Sequence, residues 1–146
     1  MHKAISVLLV DTSQALVAAV GRYLQHEGFV VAGFDVGGGG AIRKAQLLQP
    51  DVVVLDIALR EPSGLGLIEA LRSSVPGAAV VVFSLLDTPS LRRSAQARGA
   101  AVFVPKGAPT SQLLDGIRQA AASRTQDGVT PPGQPGEGEL SGRAGW

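Results

Sequence analysis

Four apolar runs in this chain each lead to a polar side chain of a type that takes part in binding or catalysis. Two runs end in the carboxylates of Asp11 and Asp56, a third ends in the hydroxyl of Ser84, and a fourth is followed by the ammonium of Lys106. Taken singly, such residues are usually strand-end or solvated loop groups. Together they indicate one site at one edge of a sheet, with groups that can bind a cation and an anion.

Segments with helical spacing lie between the apolar runs. Thr12 and Ser13 are good N-cap residues for the first helix, in which apolar residues form one stripe: Leu16, Val17, Val20 and Leu24. Thr88 followed by Pro89 predicts the start of a later helix, which Gly99 ends. The predicted strands are 5–10, 29–33, 52–55, 79–83 and 101–104, and the later predicted helices cover 41–48, 65–72, 89–98 and 113–121.

The order of these segments is a strand followed by a helix, repeated five times. The strands are too uniformly apolar to have a solvated face, which predicts an α/β fold with a doubly wound parallel sheet and helices on both faces. Ligands of such sheets bind outside the carboxyl ends of the strands, where the strand order reverses. The predicted topology therefore brings the four polar side chains to one edge.

The composition excludes several classes of protein. The chain has 146 residues, which is typical of one domain, and 45% of them are hydrophobic. Its net charge is +1, and it has no blocks of like charge. We therefore expect no charged surface that binds nucleic acid or a membrane. It has no cysteine, which is compatible with a cytoplasmic location. No apolar stretch approaches the roughly 18 residues that span a bilayer, and we expect no membrane partner.

The composition changes at Ser123. Residues 123–146 are rich in Gly, Pro, Ser and Thr and have few large apolar side chains, which predicts a flexible tail after a domain at 1–122. The glycine run at 37–40 lacks the Gly-Lys-Ser/Thr ending of a phosphate loop. Without a nucleophile–base pair or a cofactor fingerprint, the chain is not expected to be an enzyme.

The spacing of the polar residues resembles the receiver domains of bacterial two-component response regulators. The acid, acceptor acid, hydroxyl, aromatic and lysine of receivers match positions 11, 56, 84, 103 and 106, and Gly64 matches a glycine that usually follows the acceptor loop. The stretches 103–108 and 113–117 are similar to the NarL-type subgroup. The resemblance covers about residues 4–122, and it implies a flavodoxin-like receiver fold with strand order 2-1-3-4-5.

The resemblance assigns a role to the acids. Asp56 would accept a phosphoryl group from a phosphohistidine, and Asp11 would hold Mg²⁺ together with Asp56 and the backbone carbonyl of Ala58. Phosphoryl transfer depends on positioning and on neutralising charge on the transferred oxygens. A hard dication with oxygen ligands meets that need.

The resemblance also assigns roles to three further residues. Lys106 would pair with the phosphoryl group as a mobile point charge. Ser84 would donate a hydrogen bond to the phosphoryl group, and Phe103 would then move inward behind Ser84. This movement would change the surface of the fourth helix and the last strand. Phosphorylation of Asp56 would in this way favour one of two conformations of that surface.

Two positions depart from the family pattern. Thr12 stands where receivers usually carry a second acid, and losing one charge should weaken Mg²⁺ binding. Leu85 follows the hydroxyl, at a position where a small residue normally gives phosphodonors access. Asp56 is therefore expected to be slow to phosphorylate, or not to need phosphorylation.

Two functional hypotheses follow. In the first, the protein is a phosphoacceptor switch that receives its phosphoryl group from a sensor histidine kinase or phosphotransfer protein and signals through protein contacts. In the second, it is an atypical receiver that acts as a phosphorylation-independent interaction or ligand-sensing module. The resemblance implies a homodimer surface within 89–122, and we expect no DNA-binding domain within these 146 residues.

Overall fold

The computed structural model describes residues 3–58 and 63–128. Within them, five parallel strands form one sheet in the order β2-β1-β3-β4-β5, which confirms the expected doubly wound topology. The strands are β1 (Ser6–Asp11), β2 (Val30–Val36), β3 (Val52–Leu55), β4 (Ala79–Ser84) and β5 (Val102–Pro105). The helices are α1 (Gln14–His26), α2 (Ala41–Leu48), α3 (Gly64–Ser74), α4 (Pro89–Ala97) and α5 (Thr110–Gly128).

The sheet separates two hydrophobic cores. Leu8 and Val10 pack towards α2, α3 and α4, whereas Val7 and Leu9 pack towards α1 and α5. Every residue of β3 is buried, because helices cover both faces of the central strands. This double burial explains why the strands read as continuous apolar runs.

Helix caps set where the chain turns at the carboxyl edge of the sheet. Of the two predicted caps of α1, Ser13 is the residue used, and its hydroxyl accepts the Leu16 N–H at 3.1 Å. The Thr88 hydroxyl caps α4 in the same way. Gly99, at φ +113°, follows α4 as predicted, in a left-handed conformation that glycine adopts without a steric penalty.

Two element ends differ from the predictions. β2 continues through Gly33 to Val36, because the missing Gly33 side chain leaves room for Leu48, and the turn comes at Gly37 with φ +97°. The last helix, predicted at 113–121, runs from Thr110 to Gly128. Its extra turn is held by Arg124, which forms an ion pair with Asp51 at 3.2 Å.

The tail predicted at 123–146 is therefore helical as far as Gly128, and its remainder, 129–146, lies outside the described residues. Ala120 and Ala121 are buried against the core, so α5 is anchored up to this last turn. In the part of the chain that the structure describes, no helix is both long and apolar enough to cross a membrane.

Gly64 allows α3 to begin close to the acceptor strand. A Cβ atom at this position would lie 2.4 Å from the Ile57 Cα and 2.7 Å from its carbonyl oxygen. Ile57 directly follows Asp56, so the close approach of the two backbones fixes the chain that leaves β3. The glycine matched by the family resemblance thus has a steric role here.

Gly64→Ala should lower the free energy of unfolding by about 1–3 kcal/mol, because backbone atoms must move to admit the methyl group. Gly66→Ala is the matched control, since its Cβ would meet only the Ser63 side chain, at ordinary contact distances of 3.7 Å and 3.8 Å. Urea unfolding measures both variants. Equal stabilities for the two variants would contradict this steric account.

Candidate functional site

The four polar side chains predicted from the strand ends lie at one edge of the sheet. Asp11 is the last residue of β1, Asp56 follows β3, Ser84 ends β4 and Lys106 follows β5. The first three are buried, with exposed fractions of 5%, 4% and 0%. The Lys106 N–H donates to the Ser84 carbonyl at 2.8 Å, and the Asp56 N–H donates to the Val10 carbonyl at 3.0 Å. Parallel pairing therefore holds the site together.

The Lys106 ammonium lies between the two carboxylates. Its Nζ is 2.7 Å from Asp11 Oδ2 and 3.2 Å from Asp56 Oδ2. The lysine side chain is only 11% exposed, and the carboxylates are 7% and 5% exposed. The three groups carry a formal charge of −1 in a site with little water, so each carboxylate depends on the ammonium for compensation.

The second oxygen of each carboxylate is held by a backbone turn. Asp11 Oδ1 accepts the Ser13 N–H at 3.0 Å, and Asp56 Oδ1 accepts the Ala58 N–H at 2.9 Å. Each acid therefore uses Oδ1 to fix its own loop and presents Oδ2 to the common cation. Both Oδ2 atoms are therefore oriented towards one point, where the Lys106 ammonium lies.

The donor set around that point suits Mg²⁺, which prefers carboxylate oxygens and retains several waters. Asp11 and Asp56 are the two acids at the site, and within residues 3–58 and 63–128 no group of three or more His, Cys, Asp or Glu could hold a metal ion. Thr12 is exposed and supplies no charge. The expected role of the Ala58 carbonyl as a ligand stays a prediction.

The Ser84 hydroxyl is fully buried and accepts the Leu86 N–H at 3.0 Å. This bond ties the hydroxyl to the loop between β4 and α4. Leu85 and Leu86 in this loop are 76% and 53% exposed. Leu85 thus has few neighbours among the described residues, and its expected effect on access to Asp56 stays a prediction.

Phe103 on β5 lies opposite Val82 and packs, partly buried, against the core on the α4 side. The Arg92 guanidinium lies over its ring, with the guanidinium carbon 4.7 Å from the ring centroid. Arg92 also binds Asp87, whose carboxyl pKa lies below its ordinary value because of these hydrogen bonds. No pattern in the sequence indicated this contact of Arg92 with Phe103.

A third buried carboxylate, Asp35, was not selected from the sequence. It is 6% exposed, pairs with Lys44 at 2.9 Å and accepts the Gly40 N–H at 3.2 Å. The contacts fasten the glycine run to the end of β2 and the start of α2. Its only signal in the sequence was one acid within an apolar strand, and its contacts give it a structural role.

Comparison with known proteins identifies the family. The family model described as the response regulator receiver domain matches residues 7–118. The chain is 34% identical over 126 residues to the Mycobacterium tuberculosis protein named "Probable transcriptional regulatory protein TcrX", covering 86% of this chain and 52% of TcrX. The chain thus spans about half the length of this relative.

Solved structures agree on the fold. The response regulator domain of Thermotoga maritima CheB superposes with a TM-score of 0.73 at 26% identity, covering 82% of this chain and 98% of that one. A two-component response regulator of the LuxR family from Aurantimonas sp. SI85-9A1 gives 0.78 at 24% identity, covering 84% and 88%. From the family match, the strand order and the acid pair beside Lys106, this chain belongs to the response regulator receiver domains of two-component signalling.

Proposed function

We propose that this receiver is a phosphoacceptor switch in which Asp56 takes a phosphoryl group from a phosphohistidine on a sensor histidine kinase or phosphotransfer protein. The observation that carries the proposal is the convergence of the Asp11 and Asp56 carboxylates on the Lys106 ammonium in a buried site. Such an arrangement places one ammonium beside the acceptor carboxylate, and a divalent cation held by the two acids would add the further positive charge that a transferred phosphoryl group needs.

The chemistry at Asp56 follows from its hydrogen bonds. Oδ1 is held by the Ala58 N–H and Oδ2 by the Lys106 ammonium, so attack on phosphorus by Oδ2 requires Lys106 to release it. As the new O–P bond forms, the N–P bond of the phosphohistidine breaks and the imidazole leaves with its electron pair. When bound by Asp11, Asp56 and the Ala58 carbonyl, Mg²⁺ supplies charge that neutralises the phosphoryl oxygens. Lys106 then exchanges its contact with the Asp56 carboxylate for one with the phosphoryl group.

The same step reaches the surface through Ser84. Its hydroxyl accepts the Leu86 N–H and keeps its own proton free to donate to a phosphoryl group, so turning towards that group draws the bonded loop with it. Phe103 moves in concert, and the surface of α4 and β5 changes with it. The output is a change in protein contacts, including a homodimer through 89–122, the surface that receivers often use for dimerisation.

A second candidate is a receiver that works without phosphorylation, as an interaction or ligand-sensing module. Two observations favour it. The Lys106 ammonium already contacts both carboxylates, and Thr12 offers no third charge to recruit Mg²⁺. In this case, partner binding should be the same for the wild type and Asp56→Asn, whereas a phosphoacceptor switch requires the two to differ once a phosphodonor is present.

Beryllofluoride with Mg²⁺ should shift the NMR signals of Asp56, Ser84 and Phe103, because it mimics the phosphoryl group on the acceptor carboxylate. The matched control is Asp56→Ala, in which these shifts should vanish. Since the site has two acids, saturation is expected only at millimolar Mg²⁺. The absence of any shift at that concentration would rule out the switch and leave the second candidate.

Lys106→Met should lower the free energy of unfolding by about 3 kcal/mol without Mg²⁺, because it leaves two buried carboxylates without their cation. The double variant Lys106→Met with Asp11→Asn should regain part of the loss, since one repelling charge is gone. Millimolar Mg²⁺ should also restore part of it in the single variant. Urea unfolding with EDTA or Mg²⁺ checks these changes, and an unchanged stability of Lys106→Met contradicts the charge account.

A further inference from the structure

An arginine on α4 covers one face of the Phe103 ring. The guanidinium carbon of Arg92 lies 4.7 Å from the ring centroid, within the range of an attractive cation–π contact. Phe103 is partly buried, and its side chain packs against the core between the sheet and α4. Arg92 therefore contacts one face of the aromatic residue to which the proposed function assigns the switching movement.

Asp87 fixes the orientation of that guanidinium. Arg92 Nε donates to Asp87 Oδ1 at 2.6 Å, and one terminal nitrogen donates to Oδ2 at 3.1 Å. Two parallel bonds set the plane of the guanidinium as well as its position. The ion pair is solvent-exposed and contributes little to global stability. The Asp87–Arg92 ion pair matters for geometry, because it directs the flat face of the guanidinium towards the Phe103 ring.

The Asp87 anchor is connected to the phosphoacceptor site. Asp87 lies in the short loop between β4 and α4, and the neighbouring Leu86 N–H donates to the buried Ser84 hydroxyl. A continuous series of contacts thus leads from Ser84 through Leu86 and Asp87 to Arg92, and from there to the Phe103 ring. This series is a route by which a displacement of the Ser84 hydroxyl would reach the carboxylate that holds Arg92 in place.

We propose that Arg92 is a positioning residue for Phe103: Asp87 orients its guanidinium, the guanidinium holds the ring in its present orientation, and movement of the Ser84 loop releases it. The restraint on the ring stands independently, whereas its release by phosphorylation rests on the proposed function. The ring also lines a cleft of about 290 Å³ between α4, β5 and α5, together with Arg92, Gln96 and Gln119. Release of the ring changes the shape of this cleft.

The next residue along the helix provides a matched control. Arg93 has the same charge and lies on the same exposed turn of α4, and within the described residues no ion pair or ring contact joins it to Asp87 or Phe103. Arg92→Ala and Arg93→Ala therefore remove the same charge and similar side-chain volume. A difference between them reports the placement of Arg92 and not the net charge of the helix.

Fluorine NMR on protein labelled with 4-fluorophenylalanine tests the restraint without any phosphoryl mimic. The chain has four phenylalanines, and Phe103→Leu assigns the signal of interest. Asp87→Asn does not touch the ring, yet it should shift or broaden the Phe103 signal in the wild-type background and have no effect in Arg92→Ala. Arg93→Ala should leave the signal in place. An unmoved signal in Asp87→Asn, or an equal response to Arg93→Ala, overturns the proposal.

The coupling to the phosphoacceptor site is measured as beryllofluoride affinity with Mg²⁺. Removing the restraint should raise the affinity about two- to fivefold in Arg92→Ala and Asp87→Asn, with no further gain in the double variant. Arg93→Ala should bind like the wild type. Unchanged affinity in Arg92→Ala overturns the coupling. If the wild type binds no beryllofluoride, the proposed function fails, and the fluorine experiment still decides whether Arg92 restrains the ring.

Discussion

The ammonium of Lys106 between the carboxylates of Asp11 and Asp56 is the interaction on which the rest of the structure depends. Two acids buried this deeply repel each other and lose hydration, so the site is stable only with a cation between them. Their second oxygens are tied to the N–H groups of Ser13 and Ala58, so the acids cannot turn away. The ends of β1, β3 and β5 must therefore stay aligned, and the pairing of the parallel strands keeps them aligned.

In the proposed switch, the lysine and a divalent metal ion would be alternative partners of the same oxygens. A receiver with a third acid would have a surplus of negative charge that favours a dication, whereas here the lysine leaves a formal charge of only −1. In the proposed switch, Thr12 would shift the balance towards the metal-free state, so that more Mg²⁺ would be needed. Arg92 adds a second restraint at the other end of the pathway, on Phe103. In the proposed switch, the Lys106 contacts and the Arg92 contact both favour the unphosphorylated conformation.

The strands, their order and the site at their carboxyl ends followed from the sequence, because periodicity and strand-end chemistry are local signals and the family resemblance supplied the order. What could not be predicted depends on contacts between distant segments. Gly33 looked like the end of β2, and only its packing against α2 shows why the strand continues. The end of α5 depends on Arg124 meeting Asp51, and the placement of Arg92 on Phe103 depends on how α4 lies against β5.

Phosphorylation of Asp56 is tested most directly by the mass of the intact protein after incubation with Mg²⁺ and a small phosphodonor such as phosphoramidate. If Asp56 is the phosphoacceptor, the protein should gain the mass of one phosphoryl group, and this gain should require Mg²⁺ and be lost in Asp56→Asn. Thr12→Asp should reach the same yield at a lower Mg²⁺ concentration than the wild type. No gain at millimolar Mg²⁺, or a gain that persists in Asp56→Asn, would contradict the assignment of Asp56 as the phosphoacceptor.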